Sequence, residues 1–394
     1  MKILMVTRES QADKRYGLGR SLIPLVEELG RRGYSVGYLC REDCGQRSEH
    51  LFRGLHAVLI HLFQRMSGAT ADTPAVLWAL LERLNMGRLA AKVATCQGYT
   101  HVHCHDPWIA LGFRLFCLLR LSRRIFWGVT EHGFGCYAQA THEDGGRQGT
   151  TMMYRFRRLE AAVLKRADWV ISPTFSGIGQ LARDLCVFPI PASWHAVPHA
   201  RPKITHYGRA EARRSLGWSD DFFYVLGVGR LAPLKQFPML IQACAMAKTP
   251  RPVRLVILGE GDTKYLHHVG VEAGLGQEIM FGITDNIGLY LAAADVYIST
   301  SSTESFGMAN LEALVAGIPA VCTAVGGVPE VVGAGAWLVS PEVAAVREAI
   351  ETLAKNDTLR SWLSKYSMER GAGWPDITEI ARRYEEIYRQ AEKT

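Results

Sequence analysis

The sequence predicts an α/β protein made of two doubly wound parallel sheets in tandem, and three observations carry this. A chain of 394 residues is too long for one ordinary core, so two domains of roughly 200 residues each are expected. Short apolar runs alternate with amphipathic stretches in both halves, the pattern of strand-helix-strand units. Around residues 196–207 the text becomes AVPHARPKITHY, proline-rich and polar, as a linker is.

In the first half KILMV (2–6) and SVGYL (35–39) read as strands bracketing an amphipathic helix over 22–32, closed by Gly33. Further strands are expected at VLIHLF (58–63), THVHC (100–104), IFWGVT (125–130) and DWVISP (168–173). The second half repeats the series with FYVLGVG (223–229), VRLVILG (253–259), EIMFG (278–282), DVYIST (295–300) and PAVCTA (319–324). An amphipathic stretch at 377–388 follows Trp374 and Pro375, and is expected to cross back onto the first domain. The expected domains are thus 1–200, joined by a helix from about 374–394, and 205–373. Two such domains leave a cleft, and doubly wound sheets bind ligands at the carboxyl ends of their strands.

Composition narrows the classes. The net charge of +7 is uneven: residues 1–195 hold about 25 Lys and Arg against about 16 Asp and Glu, the remainder about 20 against 22. FRLFCLLRLSRRIFW (113–127) mixes arginines with large apolar residues. It reads either as a peripheral contact with an anionic membrane surface or as a buried helix with a solvated basic face. No run approaches the roughly 18 apolar residues of a membrane span, and MKILMVT runs straight into Arg8 and Glu9 without a signal-peptide core. A cytoplasmic protein is expected, or one peripheral on the inner membrane face. Nine cysteines without a CxxC pair argue for reduced thiols and against structural zinc.

The chemistry concentrates in ESFGMANLEALVAGIPAV (304–321). Strand DVYIST runs into the loop SSTES, and Gly307 then stands where a helix begins. The amides and positive dipole end of such a helix hold a phosphate. At 1.5 Å of rise per residue, Glu312 lies roughly 7 to 8 Å beyond Gly307, about the distance from a nucleotide's outer phosphate to its ribose. One carboxylate accepts both hydroxyls of a ribose diol, so Glu312 suits the ribose, while Glu304 reaches toward whatever the phosphates carry. The plainer reading makes Glu304 a capping residue and Glu312 part of a solvated face, and the apolar Leu311 and Leu314 beside Glu312 speak against the latter.

A second phosphate element, GVGRLAPLK (227–235), places Arg230 and Lys235 in the loop after a strand, two cations for a diphosphate opposite that helix. The same letters imitate the dinucleotide fingerprint GxGxxA, but Pro233 interrupts the turn and no acidic residue ends the next strand.

Together GVGRLAPLK, LGEG (258–261), the glutamate pair of ESFGMANLE and AVGGVPEVV resemble the donor half of the family-four retaining glycosyltransferases, which have the GT-B fold, and the resemblance covers nearly the whole chain. It implies a metal-independent hexosyltransferase that needs no cofactor. A sugar would pass from a nucleoside diphosphate, UDP before GDP, to a hydroxyl of a small molecule or a lipid-linked glycan, and no nucleic acid would be bound. Arg230 and Lys235 would bind the diphosphate beside Gly229 and Gly259, Glu304 the sugar, and Glu312 the ribose. Ser305, Phe306 and Gly307 would bind the outer phosphate through their amides, and Gly282 and Ile283 the base through their backbone. In the first half Gly17 and Gly19 resemble the family's glycine loop, His132 in TEHGFG its active-site histidine, and Asp106 in HCHDP an acidic residue near the acceptor. Two departures stand out: the glycine pair is split by Leu18, and PHARP (198–202) replaces an Asn-Gly at the linker.

In the front-face mechanism that the resemblance implies, the departing phosphate oxygen takes the acceptor proton while Glu304, His132 and the cations hold the donor. His132 has a plainer alternative as a histidine tucked under its loop. His101, His103 and His105 alternate along THVHCHD, sharing one strand face. That invites a metal reading, but strand histidines are commonly satisfied within the fold and no aspartate pair is placed to hold a metal on a diphosphate. Two other classes stay open: a nucleotide-sugar 2-epimerase on a similar scaffold, and a non-catalytic module with an inherited cleft.

Overall fold

The computed structural model describes residues 1–8, 18–45, 52–56, 58, 61, 73–118, 124–137 and 150–393. They divide into two compact units, Met1–His199 with Ile377–Thr394, and Ala200–Asp376.

In the first unit β1 (Lys2–Val6), α1 (Leu18–Arg31), β2 (Ser35–Leu39), α2 (Thr73–Gln97), β3 (His101–Cys104), α3 (Pro107–Leu118), β4 (Phe126–Thr130), α4 (Thr150–Leu164), β5 (Trp169–Ser172), α5 (Phe175–Leu185) and β6 (Trp194–Ala196) follow in order. The strands form one parallel sheet ordered β2-β1-β3-β4-β5-β6. Successive side chains alternate between its faces. Leu4, Val6, Val102, Cys104 and Val129 enter a core with Met86, Ala90, Ile109 and Phe113 from α2 and α3. Ile3 pairs with His101 and Met5 with His103, so both histidines lie on the opposite face. That face is buried too, as parallel sheets are.

The second unit runs α6 (Arg209–Leu216), β7 (Phe223–Val228), α7 (Phe237–Met246), β8 (Val253–Leu258), α8 (Thr263–Glu272), β9 (Ile279–Gly282), α9 (Ile287–Ala293), β10 (Val296–Ser299), α10 (Met308–Ala316), β11 (Ala320–Thr323), α11 (Val328–Val332), β12 (Trp337–Val339), α12 (Val343–Lys355) and α13 (Asp357–Ala372). Its parallel sheet is ordered β12-β11-β10-β7-β8-β9. Phe223, Val225, Leu255 and Ile257 serve one core, Tyr224, Leu226, Val256 and Leu258 the other. Asp295, 2 % exposed, ties the sheet to its surroundings. It accepts hydrogen bonds from Arg209 at 2.6 Å, Arg213 at 2.8 Å, Arg251 at 3.0 Å and the Tyr224 amide at 2.8 Å.

The last helix, α14 (Ile377–Ala391), belongs to the first unit. It buries Ile380, Ala381, Tyr384, Ile387, Tyr388 and Ala391. Tyr34 donates to Glu385 at 2.6 Å, and Arg32 bonds the Thr378 carbonyl at 2.8 Å.

One strand expectation is corrected. Of VLIHLF, only Val58 and His61 are described, and both are helical; a short apolar run fits a buried helix as well as a strand. Two strands went unforeseen, β6 and β12, each three residues long at a sheet edge. In the basic apolar segment, α3 buries Phe113 and leaves Arg114 and Leu115 exposed, while residues 119–123 lie outside the described residues. No described helix is long and apolar enough to cross a membrane. All nine cysteines are free thiols.

Candidate functional site

In the second sheet β7 lies between β8 and β10. The chain winds from β7 through β8 to β9, then returns to place β10 on the other side of β7. Loops leaving the carboxyl ends of β7 and β10 therefore diverge, and such a switch point is where doubly wound sheets take ligands. The loop after β7 carries Arg230 and Lys235, and the loop after β10 carries residues 300–307.

Hydrogen bonds bind these two loops together. Thr300 Oγ1 donates to the Lys235 carbonyl at 2.9 Å, and the Ser302 amide to the Leu234 carbonyl at 2.8 Å. Lys235 Nζ then bonds Glu304 Oε2 directly, the two side chains 20 % and 15 % exposed. Gly229 lies against the Lys235 stem, where a Cβ would stand 3.2 Å from Cε. Arg230 is exposed.

The glycine turns interlock across three strands. The Gly229 amide donates to the Leu258 carbonyl and the Gly259 amide to the Gly282 carbonyl, both at 2.9 Å. A Cβ on Gly259 would stand 1.8 Å from the Gly229 carbonyl oxygen, so the tips of β7 and β8 approach only because that atom is missing. Gly282 spends its carbonyl on this contact, and the side chain of the next residue, Ile283, is 58 % exposed.

Gly307 (φ 81°) caps α10 with no side-chain hydrogen bond to the helix amides. Glu312 is 4 % exposed and Leu311 and Leu314 are buried, so the solvated reading of Glu312 does not hold. Ser305 is half-buried, while Phe306 is 2 % exposed and sets its ring edge-on to Trp374 at 5.6 Å, which anchors the loop. Beneath it lies AVGGVPEVV (324–332). The Gly327 amide donates to the Glu304 carbonyl at 2.9 Å, and Gly326 (φ 54°) passes so close that a Cβ would stand 2.1 Å from that oxygen. The double glycine buttresses the backbone of Glu304.

In the first sheet the order β2-β1-β3 puts the switch point between β1 and β3. Gly17 lies outside the described residues, and Gly19 is buried in the first turn of α1. Asp106 follows β3 and is engaged at both oxygens. Oδ1 accepts the Trp108 and Ile109 amides at 2.8 and 3.3 Å, capping α3, and Oδ2 pairs with Arg83 at 2.6 Å, both side chains buried. This carboxylate both caps α3 and pairs with a buried cation.

His132, half-buried after β4, places Nε2 3.0 Å from His105 Nδ1, and its ring stacks on His199 at 5.9 Å. Burial pushes the His132 imidazole well below its usual range, with His105 and His199 adding to the shift. His103 bonds Tyr388 and Thr130 at 2.7 Å each, and His101 bonds Thr100 at 2.9 Å, so the alternating histidines have partners within the fold. Among the described residues no three His, Cys, Asp or Glu side chains group as metal ligands. The period-two spacing of THVHCH pointed to a shared face, but nothing in the sequence pointed to His199.

Two doubly wound sheets in tandem, the second with cations and a paired glutamate at its switch point, define the class of GT-B glycosyltransferases. The family described as Glycosyl transferases group 1 matches residues 208–370, and Glycosyltransferase Family 4 matches 16–200. A D-inositol 3-phosphate glycosyltransferase of Stackebrandtia nassauensis is 32% identical over 340 residues, 81% of this chain and 74% of its own. An uncharacterized glycosyltransferase of Methanocaldococcus jannaschii is 29% identical over 84% of this chain and 83% of its own. Among solved structures, sucrose-phosphate synthase from Thermosynechococcus elongatus superimposes with a TM-score of 0.77 at 20% identity, over 99% of this chain and 98% of its own. Anabaena HepE in complex with UDP-glucose gives 0.70 at 18%, over 98% of each chain. The chain belongs to the family-four glycosyltransferases. It is a glycosyltransferase, and the epimerase and non-catalytic readings give way.

Proposed function

We propose that the second unit binds a nucleoside-diphosphate sugar, a UDP-sugar before a GDP-sugar, and that the chain transfers the sugar to an acceptor hydroxyl with retention and without a metal. The observation that carries this is the Lys235–Glu304 contact beside the start of α10. It puts a cation, a carboxylate and a helix N-terminus at one switch point. With Arg230, these groups would neutralise the charge that grows on the departing diphosphate, where preorganised dipoles and cations act most strongly. Glu304 would exchange its bond to Lys235 for the sugar hydroxyls as Lys235 turns to the phosphates. Glu312 would hold the ribose, and Ile283 the base through its backbone. The bond from the anomeric carbon to phosphate breaks as the bond to the acceptor oxygen forms on the same face, and the phosphate oxygen takes the acceptor proton.

The HepE structures with UDP and UDP-glucose favour UDP. The relatives named for D-inositol 3-phosphate make a phosphorylated polyol the first acceptor to try, beside a lipid-linked glycan at a membrane surface. Thermal unfolding with UDP, GDP and ADP tests the donor. A nucleotide at a hundred times its Kd adds about 2.7 kcal/mol; UDP should give the largest shift, and no shift with any of them would overturn the reading.

A further inference from the structure

The histidines of the first unit form a column. His103 and His105 stack at 4.7 Å with planes 5° apart, His105 meets His132 at 5.3 Å, and His132 lies parallel to His199. A hydrogen bond joins two of these rings, between His105 Nδ1 and His132 Nε2 at 3.0 Å. Burial pushes both of these imidazoles well below their usual range, so each carries one proton near neutral pH and only one of the two facing nitrogens is the donor.

The far side of His105 decides which. Its Nε2 is buried and, among the described residues, has no hydrogen-bond partner. Were His132 the donor, the His105 proton would sit on that nitrogen, a buried N–H with nothing to accept it. With His105 as donor, Nε2 is only a bare lone pair. Orphaned buried N–H groups are the rarer case, because an unmade donor forfeits its full desolvation cost.

We propose that His105 is a positioning residue whose Nδ1–H donates to His132 Nε2 and so fixes His132 as the neutral tautomer protonated on Nδ1. The basic nitrogen of His132 is then occupied. A His132 held in this way is a hydrogen-bond donor through Nδ1–H and not a proton acceptor. His103, held on both sides by the hydroxyls of Tyr388 and Thr130, is the plate on which His105 stacks. The consequence for turnover rests on the resemblance by which His132 is an active-site histidine; the tautomer does not.

Nitrogen NMR of the full chain labelled with 15N-histidine reads the tautomer directly at pH 7.5, with His132→Gln assigning the signal. We expect Nδ1 protonated and Nε2 bare; a proton on Nε2 overturns the proposal. A kinetic arm compares His105→Asn, whose amide N–H takes the place of the Nδ1 donor, with His105→Asp, an acceptor of the same shape that draws the His132 proton onto Nε2. His105→Asn should stay within about threefold of wild-type kcat, and His105→Asp should lose roughly a hundredfold with KM for the nucleotide sugar little changed. Equal kcat in the two variants overturns the positioning role of His105 in turnover, and the spectrum alone overturns or supports the tautomer. Should His105→Asp not fold, the wild-type spectrum decides alone. Should the wild type turn over no nucleotide sugar, the proposed function fails while the spectrum still settles the tautomer.

Discussion

Glu304 shows how much one position depends on its neighbours. Its carboxylate meets Lys235, and its carbonyl accepts from Gly327 while Gly326 packs against it. Replacing Glu304 by Ala should leave the fold intact and cut transfer by about a hundredfold or more, the scale of a lost transition-state contact. Steady-state kinetics beside a circular dichroism spectrum checks both halves of that expectation. Gly326→Ala acts differently. The new Cβ meets the Glu304 carbonyl at a positive φ, so we expect a loss of about 1 to 3 kcal/mol together with weakened donor binding, measured by urea unfolding and nucleotide titration. ESFGMANLE and GVGRLAPLK were legible as phosphate and sugar contacts because charge and glycine spacing are local properties. The part played by AVGGVPEVV was not, since it lies in a contact with a residue more than twenty positions earlier in the chain.

At the level of elements, the strand runs of the sheet centres were read correctly because both faces are buried and the runs are continuously apolar. The edge strands β6 and β12 escaped because three residues leave no periodicity to detect. VLIHLF misled for the reason that a run of six fits either element. Asp295 joins elements that the sequence shows separately, gathering α6, β7 and the start of β8 through three arginines and an amide. Asp295→Ala would leave buried guanidinium and amide donors uncompensated and should cost about 3 to 5 kcal/mol, read as a lowered midpoint in denaturant unfolding. Helix α14 joins the first unit through Tyr34, Arg32 and His103, so ending the chain before Ile377 should expose the apolar face of the sheet and yield aggregated protein in gel filtration.

Over the whole molecule, the buried imidazoles predict how stability responds to acid. Burial holds His103 down at about 3 and His199 at about 4, and His105 and His132 well below 6.5. Their folded values lie below the unfolded 6.5, so this stability is complete above about pH 6.5. It is lost as pH falls toward 4 and then 3, at up to about 1.4 kcal/mol per pH unit for each imidazole. Glu131 and Asp168 work in the other direction, since burial raises both carboxyls and the nearby Glu160 adds to the shift of Glu131, but the two are outnumbered by the four rings, to which His101 and His195 add. Urea midpoints should hold from pH 7.5 to about 6.5 and fall from there to pH 4.5, and a flat profile over the lower range would contradict the burial of these rings as neutral species.

By itself the sequence determined the alternation of strands and helices, the two-sheet class and the residues fit to meet a diphosphate, because periodicity, charge and glycine placement are written along the chain. Only the tertiary structure decided that Lys235 meets Glu304 across 69 positions, that Asp106 is a buried cap, and that His105 faces His132 across 27. Those contacts depend on which strands become neighbours in the sheet, and strand order is a property of packing that no local pattern encodes.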